Sequence, residues 1–216
     1  MGDELPTIKE DQSKIEEAEA IRMIRYAIDH GVNYIDTAYP YHMGTSEILV
    51  GKALQDGYRE KVKLATKMPT WVINSQQDMD RNLDEQLKKL NTYIYFYLLH
   101  GLNRDRWAKL KPLDVTGWAE KKTHEGKFKH LGFSFHDIYD VFKDIIDGYK
   151  GWTLCQIQYN YMDQDCQAGT RGLRYAASKG LAVVVMEPVA GEETGHETCQ
   201  ANRGNFRQGK NQENTG

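Results

Sequence analysis

The sequence predicts an α/β fold, a (β/α)8 TIM barrel that is incomplete, on three observations. From Ser13 to about Val189 the apolar period keeps switching between helix and strand, and six strand-like runs follow one another roughly 25 to 30 residues apart. A polar residue stands at or near the carboxyl end of each run: Asp36, Lys67, His100, Ser134, Gln156 and Glu187. In a barrel all these ends open on one face, so residues far apart in sequence become neighbours. A doubly wound sheet is the competing layout, but no strand here runs into the G-x-G-x-x-G turn that such a sheet uses for a dinucleotide.

Ile15, Ala18, Ile21, Met23, Ile24, Ala27 and Ile28 mark one face of a first helix, closed by Gly31 and followed by a strand over 33–37. Ser46 is read as the N-cap of a helix holding Ile48, Leu49, Val50 and Leu54, which leads to a strand over 63–67. A helix over 77–90 precedes a strand over 93–100, and a helix over 118–124 stops at Gly126 before a strand over 128–135. Asp137 is read as the cap of a helix carrying Ile138, Val141, Phe142, Ile145 and Ile146, followed by a strand over 153–159. A last helix over 171–179, with Gly180 behind it, feeds a strand over 181–187.

About six to seven strands are therefore expected, with the first and eighth missing or partial. Only a polar segment, 1–12, precedes the partial barrel of 13–190, although Leu5 and Pro6 fit the end of a strand. The segment 191–216 holds Cys199, Ala201 and Phe206 as its only apolar residues, too few to offset its ordering entropy. It reads as a disordered tail, and its abrupt onset after a well-formed strand suggests a shift of reading frame.

A net charge of −3 and a pI near 6.2 leave no basic footprint for nucleic acid or for an anionic membrane. No apolar run reaches the length that spans a bilayer, and the polar start is not a secretory signal, so a cytoplasmic protein is expected. Cys155, Cys166 and Cys199 fit no zinc or iron–sulfur spacing; three free thiols and no metal site are expected.

The stretch from Asn33 to Glu47 concentrates the chemistry. It sets a carboxylate, Asp36, at the end of a buried strand and a phenol, Tyr41, in the Pro- and Gly-marked turn behind it. A carboxylate there needs a cation to stay charged, and Lys67 is the candidate. A nearby ammonium in turn favours the phenolate, so Asp36, Tyr41, Lys67 and His100 form a workable acid–base set.

These residues, in the strings Asp36-Thr37-Ala38-x-x-Tyr41-x-x-Gly44-x-Ser46-Glu47, Leu64-Ala65-Thr66-Lys67 and Tyr97-Leu98-Leu99-His100, resemble the Asp, Tyr, Lys, His tetrad of the aldo-keto reductases. The similarity continues through Gly132-Phe133-Ser134-Phe135-His136, Gln156-Ile157-Gln158-Tyr159-Asn160 and Met186-Glu187-Pro188. It is nearest the prokaryotic branch that often carries a ferredoxin-like region at its carboxyl end, with parts missing here at both ends. The resemblance implies an NAD(P)H-dependent oxidoreductase that reduces a small aldehyde or ketone to an alcohol. In it Tyr41 is the acid, Lys67 and Asp36 tune it, and His100 positions the carbonyl. It further implies NADPH as cofactor, with Ser134 and Gln156 at the nicotinamide carboxamide and Met186 where many relatives stack an aromatic ring. The cysteines of the iron–sulfur region are absent, so no cluster is expected, and Arg203, Arg207 and Lys210 fall in no phosphate-binding motif. The alternative reading is a catalytically inactive reductase or a barrel-like interaction module, self-associating through open barrel edges.

Overall fold

The computed structural model describes residues 7–8 and 11–188, with side chains from Glu16 on. A short antiparallel hairpin, β1 (Thr7–Ile8) with β2 (Asp11–Ile15), opens the chain. The hairpin corrects the expected boundary at its start: Ile15 ends a strand and does not open the first helix. Backbone pairing of mostly polar residues leaves no hydropathy signal, which is why the sequence hid it. The region 191–216, with Cys199, Arg203, Arg207 and Lys210, and the Leu5–Pro6 pair lie outside the described residues.

The alternation then runs α1 (Glu17–Asp29), β3 (Tyr34–Asp36), α2 (Ser46–Ala53), β4 (Lys63–Met68), α3 (Gln76–Leu90) and β5 (Ile94–Leu102). It continues through α4 (Arg104–Leu110), α5 (Val115–His124), β6 (Phe128–Phe135), α6 (Tyr139–Asp147), β7 (Leu154–Gln158), α7 (Gly169–Ser178) and β8 (Ala182–Met186). All six strands lie in one sheet in chain order, each parallel to the next. The sheet curls. β3 and β7 are four pairings apart, about 19 Å in a flat sheet, yet the Gln156 amide on β7 donates to the Asp36 carboxylate on β3 at 2.9 Å. This is the wall of an incomplete (β/α) barrel, the expected class.

The helices cover the outside of the wall. α6 buries Val141, Phe142, Ile145 and Ile146, a stripe at helical spacing, and Phe142 meets Phe133 and Phe135 of β6 at ring-centroid distances of 5.8 and 5.0 Å. α2 and α3 cross closely because Gly51 has no Cβ; a methyl there would run into the Leu90 backbone carbonyl.

Four local expectations are corrected. α2 is capped by Thr45 at its Ncap position without a side-chain bond, and Ser46 instead bonds the Thr37 hydroxyl at 2.9 Å. Asp137 accepts from the amides of Ile138 and Arg104, the latter the first residue of α4, so it ties two helices together and does not cap α6. α4 was not expected, since its two buried residues, Trp107 and Leu110, are too few to show a period; the Asn103 side chain caps it by accepting from the Arg106 amide. Cys155 is a buried free thiol, but Cys166 is disulfide-bonded, so three free thiols is wrong: spacing along the chain does not tell which thiols a fold brings together.

Candidate active site

The site is built at the carboxyl end of the sheet, where β3 begins it. Tyr34 and Asp36 are two apart and share one face of the strand. Thr37 and Ala38 are buried, and Pro40 leads into a single tight turn, Tyr41–Gly44, in which His42 and Met43 take positive φ of 48° and 54°. Non-glycine residues seldom adopt that conformation, and the Thr45 hydroxyl holds it by donating to the His42 carbonyl at 2.6 Å. The turn folds Tyr41 back over the end of β4.

Lys67 sits on β4 with its side chain 1% exposed. Its ammonium donates to Asp36 Oδ2 at 2.5 Å, to the Thr37 carbonyl at 3.1 Å and to the Tyr41 phenol oxygen at 3.0 Å. An ammonium has three donors, and all three are used. The other oxygen of Asp36 accepts from Gln156 Nε2 at 2.9 Å, and that amide also reaches the Tyr34 phenol at 3.1 Å. Burial, and after it the Asp36 carboxylate, pushes the Tyr34 phenol upward, so Tyr34 stays protonated and serves as a neutral partner.

His100 closes the group from the end of β5. Its ring stands edge-on to Tyr41 at a centroid distance of 5.9 Å and beside Trp71 at 5.2 Å. Burial first, then the charge of Lys67, pushes it down to about 3, so the imidazole is neutral at ordinary pH. Its Nδ1 is buried without a hydrogen-bond partner.

The structure thus brings Asp36, Tyr41, Lys67 and His100 together and adds Gln156 to them. Ser134 and Gln156 are register partners on β6 and β7. The Ser134 oxygen accepts from the Gly101 amide at 2.6 Å, and Gln156 Oε1 is buried with no partner. Met186 ends β8, the last strand of the sheet among the described residues, paired in register with Gln158. Among the described residues no group of three or more His, Cys, Asp or Glu can hold a metal ion.

With this geometry the comparisons are unambiguous: the family model described as "Aldo/keto reductase family" matches residues 6–215. The chain belongs to the aldo/keto reductase family. The aldo-keto reductase YhdN of Bacillus subtilis (strain 168) is 35% identical over 134 residues, 57% of this chain and 39% of that protein. The solved holo form of aldo-keto reductase AKR11C1 from Bacillus halodurans superposes with a TM-score of 0.68 at 28% identity, over 81% of this chain and 59% of that one. An aldo-keto reductase from Klebsiella pneumoniae in complex with NADPH gives 0.63 at 26%, over 76% and 55%. The chain therefore spans less than two thirds of the length of each of these three relatives.

A nicotinamide fits the residues that this family member presents. The Ser134 hydroxyl, a donor whose oxygen is already held, and the unpaired Gln156 Oε1, an acceptor, stand side by side; together they match the carbonyl and the amine of a primary carboxamide.

Sequence reasoning missed Tyr34, Trp71 and the buried layer behind Lys67. Tyr34 could have been found from its two-residue spacing to Asp36. Trp71 follows β4 in a turn with no periodic signal, and is tied to the site because the neighbouring Thr70 hydroxyl donates to the His100 carbonyl at 2.7 Å. Behind β4, the Gln86 amide donates to Glu47 Oε1 at 2.6 Å and to the Lys67 carbonyl at 3.0 Å, and Thr66 and Tyr97 complete the network.

Proposed function

We propose that this chain carries the catalytic end of an NAD(P)H-dependent carbonyl reductase, reducing an aldehyde or ketone to an alcohol with Tyr41 as the general acid. The observation that supports this most is the threefold use of the Lys67 ammonium on Asp36, Thr37 and Tyr41. Because the phenol oxygen accepts from Lys67, the phenol hydrogen is free for a second acceptor in front of it. A carbonyl oxygen that gains negative charge beside Tyr41 receives that proton, and the phenolate left behind is stabilised by Lys67. Asp36 fixes the ammonium, so the site does not reorganise at the moment of transfer. Neutral His100, edge-on to Tyr41, is a hydrogen-bond donor to the same oxygen and orients it.

A bound reduced nicotinamide supplies the hydride. Ser134 and Gln156 hold its carboxamide, and Met186 lies on the same rim. NADPH is favoured over NADH, in line with the NADPH-bound relative. The test is direct: purified chain, an aromatic aldehyde and NADPH should give a steady loss of reduced-nicotinamide absorbance, with Lys67→Met at least 100-fold slower. No turnover, with no change of melting temperature on adding excess NADPH, overturns the reading.

A further inference from the structure

One corner of the site is used by none of these steps. Gly101 follows His100 in β5 with φ +61°, and a methyl at this position would meet the Arg106 guanidinium at 2.6 Å and the His136 ring at 4.0 Å. The bare glycine therefore lets a guanidinium and an imidazole close over the residue next to His100. One nitrogen of that guanidinium donates to the Gly101 carbonyl at 2.7 Å, and its carbon lies 5.4 Å from the Trp71 ring centroid. The same indole stands 5.2 Å from His100 on its other contact, so Trp71 bridges Arg106 and the carbonyl-orienting imidazole. A second cation, Lys109, donates to the Trp71 carbonyl at 3.2 Å.

Neither Arg106 nor Lys109 is ion-paired with a carboxylate among the described residues. The carboxylate that the sequence brings beside His136, Asp137, already accepts from the Arg104 and Ile138 amides. Lys67 and Arg106 both place positive charge near His100, while burial pushes His136 downward, toward the neutral form. A half-buried guanidinium with unused donors, flanked by an aromatic face and with no anion of its own, is an anion subsite in want of a ligand.

Resting on the reductase reading, the geometry points to a carbonyl substrate that bears a carboxylate: the carbonyl lies at Tyr41 and His100, and the carboxylate lies across Trp71 at Arg106, with Lys109 beside it.

The probes are 4-carboxybenzaldehyde and 4-formylbenzamide, equal in heavy atoms and different in charge. The wild-type chain with NADPH should favour the anionic aldehyde in kcat/KM by on the order of tenfold, through a lower KM, and added salt should shrink the ratio. Arg106→Met should bring the ratio close to one, and Arg106→Lys should restore part of it. A ratio near one in the wild type, or one unchanged in Arg106→Met, overturns the inference. So does a loss of NADPH affinity in Arg106→Met as large as the loss of ratio, which would give Arg106 to the cofactor. If Arg106→Met does not fold, Lys109→Met and the salt dependence of the wild-type ratio decide in the same way. If neither aldehyde turns over and NADPH leaves the melting temperature unchanged, the reductase reading fails by itself; in any case without turnover, melting shifts with the two aldehydes decide the subsite. A larger shift with the carboxylate that disappears in Arg106→Met upholds it; equal shifts or none refute it.

Discussion

At the scale of single residues, the site is a Lys67–Asp36 pair held in place by hydrogen bonds. Lys67 is removed from water, and an ammonium so placed is tolerated only with full pairing. Removing Asp36 leaves a buried cation with two partners, so Asp36→Ala should cost about 3 kcal/mol of stability in denaturant unfolding as well as activity; an unchanged midpoint would contradict the pairing. His100 gives a pH prediction with a definite sign. Its folded value lies far below its ordinary one, so between about 6.5 and about 3 the unfolded chain binds a proton that the folded chain refuses. Its contribution to stability is present above that window and declines as pH falls through it. His100→Gln should flatten the pH dependence of unfolding in the window by up to about one proton, and a slope unchanged by the substitution would refute the neutral, enclosed imidazole. Cys155, pushed up to about 12 by burial, stays a thiol and should resist alkylation in the folded chain.

At the scale of elements, α6 anchors β6, the strand that carries Ser134. Phe142 is fully buried and packs against both Phe133 and Phe135. Phe142→Ala should cost about 3 to 5 kcal/mol, measured by urea unfolding, and loosen carboxamide binding before it touches Tyr41. The α2–α3 pair supports Lys67 from behind through Glu47 and Gln86. Burial pushes the Glu47 carboxyl upward against the hydrogen bonds of Thr66 and Gln86, so the folded chain holds a proton that the unfolded chain gives up above the ordinary carboxylate range. Stability should therefore decline as pH rises from that range through the raised value, and Glu47→Gln should remove the decline.

The sequence announced α1, α2, α3, α5, α6 and α7, most clearly where a full apolar stripe marks the helix, as in α1, α3 and α6. The hairpin and α4 were hidden because neither has one: β1 and β2 are mostly polar, and α4 buries two residues. Asp36, Tyr41, Lys67 and His100 were legible because each is an anomaly where it stands, an ionisable or polar group at a strand end or in the turn behind it. Trp71 and Arg106 were not, because an aromatic in a turn and an arginine in a short helix are ordinary until the fold brings them to His100.

At the scale of the molecule, six parallel strands form a wall that is paired on one side only at β3 and at β8 among the described residues. Unpaired edges seek partners, and we propose that two chains associate through them. Light scattering should report a mass that rises with concentration, and Val185→Lys on half-exposed β8 should suppress the rise; a monomer at all concentrations would contradict it. No helix among the described residues is long and apolar enough to cross a membrane. The curl of the wall is what makes the chemistry, since it alone brings Gln156 on β7 to Asp36 on β3.

The proposed mechanism gives the proton to Tyr41, and Tyr41→Phe tests it most directly. The substitution keeps the ring against His100 and removes only the hydroxyl that Lys67 holds. Aldehyde reduction should fall by roughly 100-fold or more in kcat, while NADPH affinity, followed by quenching of tryptophan fluorescence, stays within about twofold of wild type. Turnover equal to wild type in the Phe variant would remove Tyr41 from the mechanism.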